Sequence, residues 1–195
     1  MRNPVPALQN SLMSIVDRRY PLGVVKVAFG GDVDAMDAAR RAAALGFEHI
    51  DVGVDELREV HRSSLAIPVG DELCGFEPVT GCTARAPRKA SDWDDAVAIL
   101  RSQPNVRVEP TPASILGSVA AVRTMCEAVN GLRITLDTGW VATWGEDPVD
   151  LVELADHVQL RQARRGVPQV HPDEGGDVDF EAVVAALDRL PTVAD

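Results

Sequence analysis

Charged and hydrogen-bonding residues occur at every second position in four short stretches that have the character of β-strands. These residues are His49 and Asp51 in 47–54, Arg107 and Glu109 in 105–109, Arg133, Thr135 and Asp137 in 132–137, and His157, Gln159 and Arg161 in 157–161. Because successive side chains of a strand point to opposite faces, each set shares one face of its strand. A charge buried on such a face costs several kcal/mol unless it is paired or binds a metal. The pattern favours a polar functional site, with exposed strand ends or structural ion pairs as the alternative.

The residues nearest the ends of these strands offer acid–base and anion-binding chemistry. A carboxylate such as Glu109 can accept a proton from a substrate, and the Arg161 guanidinium can bind an anionic or enolate oxygen. Arg107, His49 and His157 lie earlier in their strands, which favours structural or supporting roles for them.

The strands alternate with Ala-rich stretches of helical periodicity. We predict strands over 23–29, 47–54, 65–69, 105–109, 132–137 and 157–161, and helices over 34–45, 55–64, 91–103, 112–129, 147–155 and 179–189. The region from 70 to 90 lacks a pattern and is predicted as a long loop with short strands. Strands joined by helices are typical of parallel sheets. No Gly-rich phosphate loop follows a strand, which disfavours a doubly wound nucleotide-binding sheet and favours a (β/α) barrel.

Capping residues predict where several helices begin and end. Asp32 or Asp34 can cap the helix over 34–45, and Gly46 can end it. Ser91 is the predicted cap of the helix over 91–103, and Asp179 that of the last helix.

Length, charge and cysteine content limit the classes of protein. The 195 residues fit one domain, predicted over 1–195, but an eight-stranded barrel typically has about 250. The net charge of -11 disfavours nucleic-acid and anionic membrane partners. With no signal peptide and no apolar run of about 18 residues, we predict a cytoplasmic protein. Cys74, Cys82 and Cys126 lack zinc-ligand spacing and are predicted as free thiols.

Five segments, in order along residues 23–190, resemble the xylose isomerase-like TIM-barrel superfamily of sugar isomerases, epimerases and endonuclease-IV-type enzymes. The segments are GFEHIDV (46–52), VRVEPTP (106–112), LDTGW (136–140), DHVQLRQA (156–163) and GGDVDFEAVVAAL (175–187). They are similar to the family's second strand, its strand ending in a metal-binding Glu, its Leu-Asp-Thr-Gly-His and His-Val-His-Leu segments, and its last βα unit. The resemblance implies an α/β fold, a (β/α) TIM-type barrel that is shortened or incomplete.

The resemblance also implies roles for individual residues. Glu109 falls on a metal-binding, acid–base Glu, and Asp137 falls on a metal-binding Asp. Trp140 stands where a His typically binds substrate or a second metal, and Gln159 stands where a His binds the metal. If the tail 191–195 is a shortened eighth strand, Asp195 lies near the position of the family's last Glu; a frayed terminus is the alternative. A divalent metal (Mn²⁺, Mg²⁺ or Zn²⁺) would then be held by Glu109, Asp137 and Gln159, although a Gln amide is a weak ligand.

From the pattern and the resemblance together we predict an isomerase- or epimerase-like enzyme that transfers protons on a sugar-like or polyhydroxylated small molecule. The predicted catalytic residues are Glu109, Asp137 and Arg161, and the predicted substrate-binding residues are Asp51, Arg107, Trp140, Gln159 and His157. Trp140 and Trp144 would give a sugar ring an apolar wall.

Two further expectations concern alternatives and assembly. The replacements Trp140 and Gln159 suggest the alternative of a metal-free barrel that serves as a small-molecule binding, cyclase-type or pathway-accessory protein. DNA repair of the endonuclease IV kind is disfavoured by the negative charge and the missing histidines. A trimmed barrel leaves an edge that a homodimer would cover.

Overall fold

The computed structural model describes residues 22–53, 56, 69–71, 83–85, 93–102, 107–171 and 174–191. The chain divides into two compact units, Met1–Gly70 and Asp71–Asp195. The prediction of one barrel domain over 1–195 is not tested by this division and stays a prediction. Among the described residues, no helix is both long and apolar enough to cross a membrane.

The first unit is built on two parallel strands and one helix. Strand β1 (Gly23–Val25) pairs in parallel with β2 (His49–Val52), and β3 (Val69–Asp71) follows β2 in the sheet order. The predicted strand over 23–29 is shorter than expected, because a 3-10 helix begins at Lys26. Of the predicted helix over 55–64, the structure describes only Glu56. Of the predicted strand over 65–69, it describes only Val69.

Helix α1 (Ala35–Ala44) follows the sequence prediction closely. Asp34 caps it, because its Oδ1 accepts hydrogen bonds from Met36 N at 2.9 Å and Asp37 N at 3.2 Å. Gly46 ends the helical segment with a φ of 84°, a conformation that glycine adopts without a steric cost. The buried face of the helix consists of alanines, which pack against Ile50 and Val52 of the sheet.

The second unit contains a sheet of four parallel strands in sequential order. The strands are β4 (Thr83–Arg85), β5 (Arg107–Glu109), β6 (Arg133–Asp137) and β7 (Ala155–Gln159). The parallel arrangement predicted from alternating strands and helices is confirmed for these pairs. Because all four strands run the same way, their C-terminal residues meet at one edge of the sheet.

Helices cover this sheet and supply its apolar core. They are α2 (Trp93–Arg101), α3 (Val119–Ala128), α4 (Thr138–Thr143), a 3-10 helix at Pro148–Leu154 and α5 (Phe180–Asp188). The core they share with the strands includes Leu116, Met125, Ile134, Leu136 and Leu151, each almost fully buried. Branched aliphatic residues thus fill a core that has few aromatic side chains.

Two predicted helices differ from the structure in their boundaries or type, and a third begins at its predicted cap. The helix predicted over 112–129 begins only at Val119, because Ser118 is its cap and accepts a hydrogen bond from Ala121 N at 3.2 Å. The segment predicted over 147–155 is a 3-10 helix capped by Asp147. Asp179 caps α5 as predicted.

Helix α4 and a β-hairpin were not predicted. The hairpin pairs β8 (Gln162–Arg164) with β9 (Val167–Val170) in antiparallel fashion. Its two turn residues, Arg165 and Gly166, have φ values of 50° and 76°. Positive φ at both central residues is the requirement of a tight two-residue hairpin turn, and an arginine at the first position gives little sequence signal for it.

Candidate functional site

Two buried carboxylates lie at the C-terminal ends of neighbouring strands in the second unit. Glu109 ends β5 and is 3% exposed, and Asp137 ends β6 and is 1% exposed. The strands pair in parallel with Arg107 opposite Arg133, so both carboxylates belong to the same edge of the sheet. Buried ionised carboxylates need partners, and the partners define the site.

Asp137 has two structural tasks, one for each carboxylate oxygen. Its Oδ1 caps α4 by accepting hydrogen bonds from Gly139 N at 3.0 Å and Trp140 N at 3.2 Å. Its Oδ2 lies 2.9 Å from Arg161 Nη2, in an ion pair. Burial raises the pKa of Asp137, while Arg161 and the two backbone N–H groups lower the pKa without cancelling that effect.

Trp140 connects the two carboxylates and the arginine. Its indole Nε1 donates a hydrogen bond of 3.2 Å to Glu109 Oε1, and its backbone N–H is one of the donors to Asp137. The Arg161 guanidinium carbon lies 5.0 Å from the centre of the Trp140 ring, within the range of a cation–π interaction. Four side chains from three successive strand ends therefore form one contiguous cluster.

The residues between Asp137 and Trp140 hold Arg161 in place. The Thr138 hydroxyl accepts a hydrogen bond from Arg161 N at 2.9 Å and donates one to Arg161 O at 2.8 Å. A Cβ at Gly139 would come within 2.9 Å of Arg161 Cγ and Cδ, so only glycine leaves room for the arginine stem. Each residue of the segment from Asp137 to Trp140 thus contacts Arg161.

We define the Arg161 cluster as Glu109, Asp137, Trp140 and Arg161. It contains one guanidinium and two carboxyl groups. The Asp137 side chain is fully buried, whereas 26% of the Arg161 side chain is exposed. A solute can therefore reach the cluster from the side of Arg161 and Trp140. A buried carboxylate beside a partly exposed guanidinium can bind an oxygen-bearing ligand and exchange a proton with it.

The structure places two other predicted residues on the strand next to the cluster. Gln159 ends β7 and is the Cα partner of Asp137, and His157 is the partner of Thr135, two residues earlier. A register shift between Ile134 and Thr135 sets this alignment. Gln159 therefore lies at the same strand edge as the cluster, and His157 lies one step further from it.

Arg107 and Asp51 each have a charged or titratable neighbour on or near their own strand. Arg107 begins β5, and its Nε lies 3.7 Å from Asp156 Oδ1, which is a structural ion pair. Asp51 belongs to the first unit, where it is 3% exposed and its Oδ1 lies 4.0 Å from His49 Nε2. Their predicted role in substrate binding stays a prediction. Asp195, at the last position, lies outside the described residues.

Sequence reasoning missed the contribution of several residues. Thr138 and Gly139 belong to the LDTGW segment (136–140), but the sequence did not predict that they position Arg161. In the first unit, Lys26 Nζ forms an ion pair with Glu56 directly after β1, and Glu56 Oε2 accepts a hydrogen bond from Gly53 N at 3.2 Å. Nothing in the sequence singled out Lys26, because it was predicted to lie inside the strand over 23–29.

The buried Gln162 side chain has a structural role. Its Oε1 accepts hydrogen bonds from Ala163 N at 3.0 Å and Val178 N at 2.9 Å, and its Nε2 donates to Val178 O at 3.0 Å. The buried amide thus joins the hairpin to the segment before α5. Gly176 makes this possible, because a Cβ there would clash with Ala163 O and with the Gln162 side chain.

The predicted metal ligands Glu109 and Asp137 have other partners in the structure, and their role as ligands stays a prediction. Asp137 Oδ1 accepts two backbone hydrogen bonds, and Oδ2 forms an ion pair with Arg161 but accepts no hydrogen bond. One oxygen of Glu109 accepts the Trp140 indole N–H, and an indole N–H only donates. The remaining predicted ligand is the Gln159 amide. The Arg161 guanidinium thus lies beside one of the predicted ligand oxygens.

No family model and no curated protein matches this sequence, whereas solved structures do. The chain is similar to the probable 3-DHS dehydratase AsbF from Bacillus anthracis, with 13% identity, a TM-score of 0.58 and 75% of each chain covered. It is also similar to the IolI protein, with 12% identity, a TM-score of 0.62 and coverage of 87% of this chain and 84% of that one.

A third neighbour is a xylose isomerase-like TIM barrel protein from Mycobacterium smegmatis, with 13% identity, a TM-score of 0.62 and 87% of each chain covered. These likenesses confirm the predicted fold, a short xylose isomerase-like TIM barrel of the α/β class. The IolI protein was solved with a zinc atom and the Mycobacterium protein with magnesium. This fold can therefore hold a divalent metal, while the identities are too low to transfer a reaction.

Proposed function

We propose, on the premise that this chain has a xylose isomerase-like barrel fold, that it is an isomerase- or epimerase-like enzyme. It would act by proton transfer on a sugar-like or polyhydroxylated small molecule at the C-terminal ends of β5, β6 and β7. The observation that carries the proposal is the hydrogen-bonded contact of Trp140 with the buried carboxylate of Glu109, beside the partly exposed Arg161.

Glu109 is the proposed base. A carboxylate within reach of a C–H bond next to a carbonyl can take that proton, and the electron pair of the bond moves to the carbonyl oxygen. In an isomerisation the hydroxyl on the carbon that lost the proton passes its own proton to the former carbonyl oxygen and becomes the new carbonyl, while Glu109 returns its proton to the former carbonyl carbon. The Trp140 indole N–H fixes one oxygen of Glu109, so the carboxylate is held in one orientation for this transfer.

Arg161 is the proposed electrostatic stabiliser of the oxyanion. Its guanidinium carries five N–H donors in a fixed plane, and Asp137 engages one of its nitrogens. The remaining donors on its exposed side can bind the enolate oxygen, which gains negative charge in the transition state. Asp137 is then a positioning residue, because it holds Arg161 rather than contacting the substrate.

Trp140 is the proposed wall for the substrate ring. Its ring already carries the Arg161 guanidinium on one face, and the residue is only partly buried. An indole offers an apolar surface against which the C–H face of a sugar stacks. Gln159, at the end of the adjacent strand, can bind a substrate hydroxyl through its amide.

A second candidate function is favoured by one specific observation. The carboxylate of Asp137 and the guanidinium of Arg161 neutralise each other inside the cluster, as expected of a structural pair in a binding protein without catalysis. In that case the chain is a metal-free barrel that binds a small molecule or serves as an accessory protein in a pathway.

Hydrogen exchange in D₂O separates the two candidates. The full chain is incubated with aldoses, ketoses, cyclic polyols and their phosphates, with and without EDTA, and NMR follows loss of the C–H signal next to the carbonyl. The enzyme should exchange at least one of these compounds, and Glu109→Gln should abolish the exchange. Glu127→Gln, at an exposed position of α3, is the matched control and should exchange normally. A compound that raises Tm without any exchange would instead support the binding protein.

A further inference from the structure

The Arg161 cluster contains its own cation. Arg161 Nη2 lies 2.9 Å from Asp137 Oδ2, and a guanidinium keeps its charge at any ordinary pH. The other Asp137 oxygen already accepts two backbone hydrogen bonds. One oxygen of this carboxylate is thus hydrogen-bonded, and the other is ion-paired with Arg161 without accepting a hydrogen bond.

Three contacts prevent Arg161 from moving aside easily. The Thr138 hydroxyl holds its backbone N–H and C=O, and its aliphatic stem lies against Gly139 at a distance that excludes even a methyl group. Its guanidinium carbon lies 5.0 Å from the centre of the Trp140 ring. Displacing the side chain would therefore break the ion pair and the ring contact together.

A divalent ion at Asp137 Oδ2 would lie next to this fixed positive charge. A metal ion and a guanidinium that contact the same carboxylate oxygen repel each other strongly in a buried site, because water screens their charges little. Trp140 adds to the effect, because its N–H donates to Glu109 Oε1 and cannot serve as a ligand. The remaining amide of Gln159 is a weak ligand that does not offset the repulsion.

We propose that Arg161 is the resident cation of this site and that it keeps divalent metals out of the pair formed by Glu109 and Asp137. Removing the guanidinium leaves two buried carboxylates at one sheet edge, and this arrangement gains affinity for an oxygen-loving ion such as Mn²⁺. The inference does not depend on the proposed reaction, because it concerns only which cation neutralises Asp137.

Titration with Mn²⁺ tests the inference, with the free ion followed by its electron paramagnetic resonance signal. Wild type should show no Mn²⁺ binding that depends on Asp137, so Asp137→Asn should leave its titration unchanged. Arg161→Met should bind Mn²⁺ at least tenfold more tightly than wild type. Arg161→Met combined with Asp137→Asn should lose that gain, which places the new site at the cluster.

Arg123→Met is the matched control, because it removes the same charge from a surface ion pair with Glu153. It should bind Mn²⁺ as wild type does, whereas a gain equal to that of Arg161→Met would show that net charge alone is responsible. Circular dichroism checks that each variant is folded. If Arg161→Met does not fold, the wild-type titration still decides: Mn²⁺ binding that Asp137→Asn abolishes would overturn the inference.

Failure of this inference and failure of the proposed function give different results. Suppose that wild type binds Mn²⁺ through Asp137 and exchanges sugar protons only without EDTA. The proposed enzymatic function would then stand, and the proposal that Arg161 excludes metals would be wrong. If wild type neither binds Mn²⁺ through Asp137 nor exchanges protons on any compound, the proposal that Arg161 excludes metals would stand, and the proposed enzymatic function would be wrong.

Discussion

The indole nitrogen of Trp140 donates a 3.2 Å hydrogen bond to Glu109 Oε1, which links a residue of α4 to the end of β5. The same tryptophan reaches Asp137 through its backbone N–H. One residue thus fixes the carboxylates of two neighbouring strands, and its ring carries the arginine that follows the third strand. The orientation of the whole cluster depends on this side chain.

The hydrogen bond from Trp140 to Glu109 should contribute measurably to the free energy of unfolding. Trp140→Phe removes the donor to Glu109, and a buried polar group that loses its partner typically costs about 1–3 kcal/mol. Trp144→Phe removes the same atoms, but Trp144 Nε1 is buried without an acceptor among the described residues. Urea unfolding should therefore show a larger loss for Trp140→Phe than for Trp144→Phe. Equal losses would mean that the Trp140 bond contributes nothing.

Gly139→Ala should destabilise the fold by steric conflict. Its new Cβ would lie 2.9 Å from two carbons of the Arg161 stem, and such overpacking costs about 1–3 kcal/mol. Gly31→Ala is the control, since no heavy atom lies within 4 Å of a Cβ there. The free energy of unfolding in urea measures both. A Gly139→Ala protein as stable as wild type would show that Arg161 has room to move.

The buried Asp137 should make stability depend on pH. Because burial raises its pKa above the ordinary value of 3.8, the native state holds this proton more tightly than the unfolded chain does. The contribution of Asp137 is then greatest below that ordinary value and is lost as the pH rises through the folded pKa. The free energy of unfolding of wild type minus that of Asp137→Asn should fall over this window. A difference that rises with pH would show that the Arg161 pair outweighs burial.

Gln162→Leu should be among the most damaging single substitutions in the second unit. It removes three hydrogen bonds that join Gln162 to Ala163 and Val178, and it leaves buried backbone groups without those partners. The expected loss is about 3 kcal/mol or more, measured by urea unfolding. Gln162→Glu keeps the acceptor oxygens but loses the donor, and it places a charge in a buried position, so it should also destabilise. A loss under about 1 kcal/mol for Gln162→Leu would contradict the structural role.

The sequence alone determined the positions of most parallel strands, their direction and the residues at their ends. These features depend on local periodicity, because alternating side chains and capping residues act over a few positions. Glu109, Asp137 and Arg161 were therefore predicted at one sheet edge, and Asp34 and Asp179 were predicted as caps, before any contact was known. The resemblance in segment order likewise led to the xylose isomerase-like fold.

Only the tertiary structure decided how these residues are paired. The ion pair of Arg161 with Asp137 depends on the position of the chain beyond β7, which a register shift at Ile134 and the Thr138 hydroxyl set. The choice of Glu109 as the acceptor for Trp140 depends on the side-chain conformation of a residue 31 positions away. Such contacts bring together segments whose spacing along the chain carries no periodic signal, so their chemistry became visible only once the strands were aligned.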